Sequence, residues 1–321
     1  MKLSKLFPFA CCALTGILAS CGGAPPRALP GAMPESISHI DGNQAKQDLL
    51  YVSNNNDEVT VYDYSSQKLV GILTDFTQPR GECVDGRGNV YITDTSAERV
   101  LEFAHGGKKP IEKYDDSPDS PYACAIDPTT GDLAVANDDG SSGNIAIWSN
   151  GTSQRTTYTD SELGKFQGCA YDTNGDLFVT NGYVGYNNPT LFAWLPEHGM
   201  KLINVNVPGP SASWTWYYIG GIQWDGKFFA LDDGETIYRV TLIHGQVYYV
   251  GSTDVYYGGG QFAFYSAKPG SQANVVVGPS DSDSSSTVDY WSYPAGGEPI
   301  TEISHAVDDP VAAVISRGKK T

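Results

Sequence analysis

The chain copies itself about every 45 residues, and a repeat of that length belongs to stacked or radial architectures. Gly88-Asn89-Val90-Tyr91-Ile92-Thr93-Asp94 returns as Gly131-Asp132-Leu133-Ala134-Val135-Ala136-Asn137 and as Gly175-Asp176-Leu177-Phe178-Val179-Thr180-Asn181. A fourth copy is Gly226-Lys227-Phe228-Phe229-Ala230-Leu231-Asp232, a looser one covers 48–54, and the loosest covers 272–278. The copies end at 54, 94, 137, 181, 232 and 278, so the intervals are 40, 43, 44, 51 and 46. Each copy is an apolar run of strand length bounded by turn residues, which excludes helical repeats.

Three further elements keep step with it. Before each good copy stands a segment with a small third residue and a terminal Asp: 79–85, 121–127, 166–172 and 219–225. The small residue suits a close approach of backbones. The Asp opens a tight turn with Gly close behind. After each copy comes a run with period two, as in Val59-Thr60-Val61-Tyr62 or Ile145-Ala146-Ile147-Trp148, then a Gly turn and a fourth strand such as 111–114. Four antiparallel strands per unit, repeated radially, predict an all-β fold, a six-bladed β-propeller, with seven blades the alternative. The first unit lacks its first strand. Pro310-Val311-Ala312-Ala313-Val314-Ile315-Ser316 fits that pattern with Ser for Asp, so the C-terminal strand is expected to complete blade one and close the ring.

Residues 51–63, which begin Tyr51-Val52-Ser53-Asn54, resemble the YVTN propeller repeat. Residues 79–85 with 88–94 and 99–103 resemble an NHL repeat. Together the patterns cover about residues 48–316. The resemblance implies a propeller and leaves function open, because such repeats serve as binding platforms, lactone hydrolases and lyases alike.

The N-terminus reads as an address. Lys2 and Lys5 precede an apolar stretch at 6–19, and Leu18-Ala19-Ser20-Cys21 resembles a bacterial lipoprotein signal. That resemblance implies removal of residues 1–20 and a lipid on Cys21. With Gly22 next, it implies a periplasmic or outer-membrane-surface location. Residues 21–47 are Pro-rich and aperiodic, a flexible tether, and 48–321 form the propeller domain. With 20 Lys+Arg against 37 Asp+Glu the net charge is −17, and without a basic run the chain is a poor nucleic-acid binder. The membrane is reached only through the lipid. Cys83, Cys124 and Cys169 recur in the same kind of strand and are expected as buried small hydrophobes without a disulfide.

Ligand sites of propellers gather where second strands end, near the channel mouth. Here those ends are Asn54, Asp94, Asn137, Asn181 and Asp232. Asn and Asp at such places ordinarily cap their own loops. The sharper reading has some of them meeting a divalent cation such as calcium, with Glu82 and Asp232 as metal ligands. The gluconolactonase family uses Glu, Asn and Asp ligands in a propeller, and Glu82, Asn137, Asn181 and Asp232 are the matching residue types. That resemblance implies a metal-dependent lactone or ester hydrolase as the alternative function. Trp214, Trp216, Tyr217 and Tyr256 lie in long junctions on the same face and suit stacking on a sugar. His105, His198 and His244 fall in outer turns, His305 ends an outer strand and His39 lies in the tether, so no histidine is expected at the mouth to act as a general base. Ser65-Ser66-Gln67-Lys68 has the spacing of a Ser/Lys pair but sits in a hairpin turn. The expectation is a binding module for a small molecule, glycan or protein.

Overall fold

In the computed structural model, the described residues are 46–140, 142–150, 152–160, 164–180, 192–195, 201–203, 221–232, 234–244, 246–255, 260–268, 270–282 and 285–319. Each repeat unit becomes one four-stranded antiparallel sheet. The strands, in chain order, are β1 (Leu49–Asn54), β2 (Val59–Asp63) and β3 (Leu69–Leu73); β4 (Pro79–Val84), β5 (Val90–Asp94), β6 (Arg99–Phe103) and β7 (Pro110–Asp115); then β8 (Pro121–Ile126), β9 (Leu133–Asn137), β10 (Asn144–Trp148) and β11 (Arg155–Tyr158). They continue as β12 (Gly168–Tyr171), β13 (Leu177–Thr180), β14 (Phe192–Leu195) and β15 (Lys201–Ile203); β16 (Gly221–Trp224), β17 (Phe229–Asp232), β18 (Thr236–Ile243) and β19 (Gln246–Asp254); and β20 (Ala263–Tyr265), β21 (Val275–Ser282), β22 (Ser285–Ser292), β23 (Thr301–Ile303) and β24 (Pro310–Ser316).

β24 pairs with β1, Val314 opposite Tyr51 and Ala313 opposite Val52, as the sequence predicts. First and last strands therefore share a sheet. The inner strands pack side by side: β24 on β4, β4 on β8, β8 on β12, β12 on β16, and β20 back on β24. The backbone of Gly221 on β16 lies against Gly260 and Gln261. Second strands such as β1, β5 and β9 are buried along their whole length. A strand with neighbouring sheets on both faces must be apolar on both, hence the continuous runs. Each junction encloses an apolar cluster. Leu49, Tyr51 and Val61 meet Val90, Ile92 and Phe103 between the first two sheets. Leu50, Val52 and Ile315 meet Val277 and Val288 where β20–β23 adjoins the closing sheet.

The recurring Asp does what its position demands. Asp85 Oδ1 accepts from the N–H of Arg87 and Asn89, Asp172 from Asn174 and Asp176, and Asp225 from Lys227 and Phe228, all at 2.7–3.0 Å. In these turns Gly88, Gly175 and Gly226 have φ of +90°, +86° and +96°, which a residue with a Cβ adopts only under strain.

Two expectations are corrected. The blade count is five, where the sequence predicts six or seven. Among the described residues six four-stranded sheets are hydrogen-bonded, with short strands at β14 and β15 and again at β20 and β23. The second correction concerns the cysteines. Cys83 and Cys124 form a disulfide between β4 and β8, with Cα atoms 5.6 Å apart, while Cys169 is free and buried. Cys83 is fifth in its segment and Cys124 fourth, and this one-residue offset on two touching inner strands lets the sulfurs meet between the sheets, a proximity that separate packing of each thiol does not anticipate.

Candidate functional site at the channel mouth

The inner strand of each sheet turns one edge toward the axis, so the channel is walled largely by backbone. At the end where these strands begin there is a cavity of about 190 Å³. Glycines 81, 168, 221 and 260 contribute to its wall, together with Arg80, Tyr122, Gln167, Gln261, Asp309 and Val311. Gly81 is obligatory: a Cβ there would lie 2.5 Å from Ala123 Cα and from Tyr122 O. That is the close approach signalled by the small third residue of the repeat.

The preceding residue is aimed by a bulge. The β4–β5 register shifts between Pro79 and Glu82, and the β8–β9 register shifts between Pro121 and Ala123. An extra residue in one strand turns its side chain away from the regular alternation. Arg80 consequently lies over the Tyr122 ring of the next sheet, with its guanidinium carbon 5.7 Å from the centroid. Glu82 is turned to the opposite neighbour, where its Oε1 accepts from Ser53 Oγ at 2.8 Å.

Gln261 clasps this region from the β20–β23 side. Its Oε1 accepts from Glu82 N at 2.8 Å and its Nε2 donates to Glu82 O at 2.6 Å. Its own backbone exchanges bonds with the closing strand: Gln261 N donates to Val311 O, and Ala313 N donates to Gln261 O. One amide thus ties three sheets together. Glu82 is fully buried, and its Oε2 has no hydrogen-bond partner. Burial pushes its carboxyl up to about 8, against the lowering effect of Ser53 and the Val314 backbone. At neutral pH it is mostly a protonated acid, a poor cation ligand.

The strand-end residues bond to neighbouring loops and strands, except that the buried Asn137 Oδ1 has no hydrogen-bond partner. Asn54 Nδ2 donates to Val52 O and Thr60 Oγ1, and its Oδ1 accepts from Asp308 N. Asp94 Oδ1 accepts from Thr77 N and Gln78 N, and Oδ2 pairs with Arg99 at 2.8 Å. Asp232 Oδ1 accepts from Gly234 N. Asn137 Nδ2 donates to Asn144 Oδ1 and stands beside Asp116, a buried carboxyl pushed up to about 7 by burial, against Arg155, which lowers it. None of Asn54, Asp94, Asn137 and Asp232 lines the mouth cavity. Glu82 and Asp232 fall on β4 and β17, in sheets that are not neighbours, and no group of three or more His, Cys, Asp or Glu side chains that could hold a metal occurs among the described residues. Asn181, Trp214, Trp216, Tyr217, Tyr256 and Cys21 lie outside the described residues.

No described histidine lines the cavity. His105 Nδ1 sits 2.6 Å from Ser316 Oγ, at the other end of the closing strand. Ser65 and Ser66 donate to Asp63 Oδ1 in a hairpin turn. Sequence reasoning passed over Arg80, Tyr122, Gln167 and Val311 as site residues, although all four hold the second place of the first-strand pattern. The signal was there: directly ahead of the small third residue, the second place varies freely among the copies.

No protein-family model and no curated protein matches the chain. Among solved structures it is similar to a propeller in the crystal structure of a nidogen/laminin complex, with a TM-score of 0.60 and 12% identity over 85% of this chain and 100% of that one. In all, 953 solved chains resemble it, so the likeness selects an architecture and no activity. The fold is that of a β-propeller.

Proposed function

We propose that the protein is an exported binding module that takes a small polar ligand at the channel mouth and performs no chemistry on it. The observation that carries this reading is the mouth cavity itself: backbone edges and bulge-aimed polar side chains converge there, while the strand-end carboxylates and amides are engaged with neighbouring loops and strands. A propeller is a common platform for binding ligands or proteins. Export and lipid attachment at Cys21 are supported by the signal-like N-terminus. The Cys83–Cys124 disulfide adds weight, since such bonds persist in oxidising compartments.

The test is a thermal-shift panel of neutral sugars, small carboxylates and calcium, run beside a lactone-hydrolysis assay. A saturable rise in Tm that Val311→Trp removes, with no turnover, is the expected result. Lactone turnover that requires a divalent cation and disappears in Glu82→Gln or Asp232→Asn would instead establish the hydrolase. A glycan array with Trp214→Ala/Trp216→Ala decides whether those aromatics contribute to sugar binding.

A further inference from the structure

We propose that the mouth binds a carboxylate monoanion on the guanidinium of Arg80, an inference that rests on the mouth being the binding site. The argument begins with pairing. The chain carries 37 acids, and two half-buried arginines elsewhere use them: Arg99 pairs with Asp94, and Arg155 with Asp116 and Asp119. Among the described residues no carboxylate lies within ion-pair reach of Arg80, although Asp309 lines the same cavity. Asp309 Oδ2 is held instead by the Asn55 amide.

Arg80 is also held in place. Pro79 fixes the chain before it, Gly81 is wedged against Ala123 and Tyr122 O after it, and the next peptide is clamped on both sides by Gln261. The bulge turns the side chain over the Tyr122 face, which orients the guanidinium plane. A cation fixed by its surroundings loses little entropy on meeting an anion, and a guanidinium matches a carboxylate with two parallel N–H···O bonds.

Charge selects the anion. Arg80 is the one cationic side chain among the described residues lining the cavity, Asp309 stands on the same wall, and the whole chain is at −17. A dianion such as phosphate would meet one positive charge against that field, whereas a monoanion is neutralised by it. Two sources share this chemistry: a free small carboxylate, and the terminal carboxylate of a polypeptide.

The experiment is calorimetric titration of the full chain at constant ionic strength with acetate, acetamide, inorganic phosphate, and a tripeptide as free acid and as amide. Saturable acetate binding is expected, with acetamide silent and phosphate weaker. Arg80→Lys should weaken acetate by about tenfold and Arg80→Met should abolish it, both with an unchanged Tm. Tighter binding of the tripeptide acid than of acetate assigns the carboxylate to a chain terminus, and the reverse order assigns it to a free solute. Acetamide binding as well as acetate, phosphate binding more tightly, or Arg80→Met binding like the parent overturns the inference. If Val311→Trp blocks acetate while Arg80→Met does not, the mouth stands and the carboxylate falls. If Val311→Trp leaves acetate binding intact, both fall.

Discussion

Glu82 shows how one buried acid couples protonation to folding. Its carboxyl ordinarily titrates at 4.5 and is raised to about 8 in the fold. Between those values the folded chain holds a proton that the unfolded chain releases. The stabilisation is therefore complete below about pH 4.5 and is lost as pH rises through about 8. The span corresponds to roughly 5 kcal/mol at most, by the energy of a pKa unit. Glu82→Gln keeps the shape without the titration. Its denaturation midpoint should fall less than that of the parent between pH 5 and pH 8.5, and parallel curves would refute the assignment. The sequence marked Glu82 as the lone acid on an inner strand. Whether it faced the axis or a neighbouring sheet depended on the bulge at Arg80, and a bulge carries no signature in this stretch.

Among elements, β4 and β8 are the pair with a covalent link. The disulfide closes a sequence separation of 41 residues, for which loop entropy predicts about 4 kcal/mol of stability. Urea unfolding of Cys83→Ser/Cys124→Ser should show a loss of that order, and a loss below about 1 kcal/mol would mean that the two strands are held by packing alone. Cys169 keeps a thiol pushed up to about 12 by burial, so alkylation of the native protein should leave it unmodified. The strands were legible because hydrogen-bonding position and side-chain burial repeat together: a small third residue in every copy, and a closing Asp in all but the last. The disulfide was not: Cys83 stands fifth in its segment while Cys124 and Cys169 stand fourth, and only the approach of particular strands decides which sulfurs meet. β20 was also missed, as its three residues carry too little pattern.

For the molecule as a whole, closure is the decisive act. Ala313 and Ile315 of β24 complete the cluster around Leu50, Val52 and Val277, and Ser316 Oγ donates to Gly88 O in the second sheet. Ala313→Asp would bury a charge with no partner in that cluster. It should cost 3 kcal/mol or more by the usual penalty for a stranded buried charge, read as a lower Tm with loss of a single sharp transition. An unchanged Tm would remove the ring from the account of stability. The closing strand was readable from sequence because it keeps the first-strand grammar at the far end of the chain. The count of blades was not, since the spacing of copies along the chain does not by itself say how many units one ring closes on. A ribosome makes the chain from N- to C-terminus, and β24, the partner of Leu49–Asn54, follows every other described strand. Until then the opening sheet has a bare edge and Glu82 lacks the Val314 backbone beside it. The closed ring is thus withheld until β24 has been made, and the sheets ahead of it stay pliable until that strand arrives.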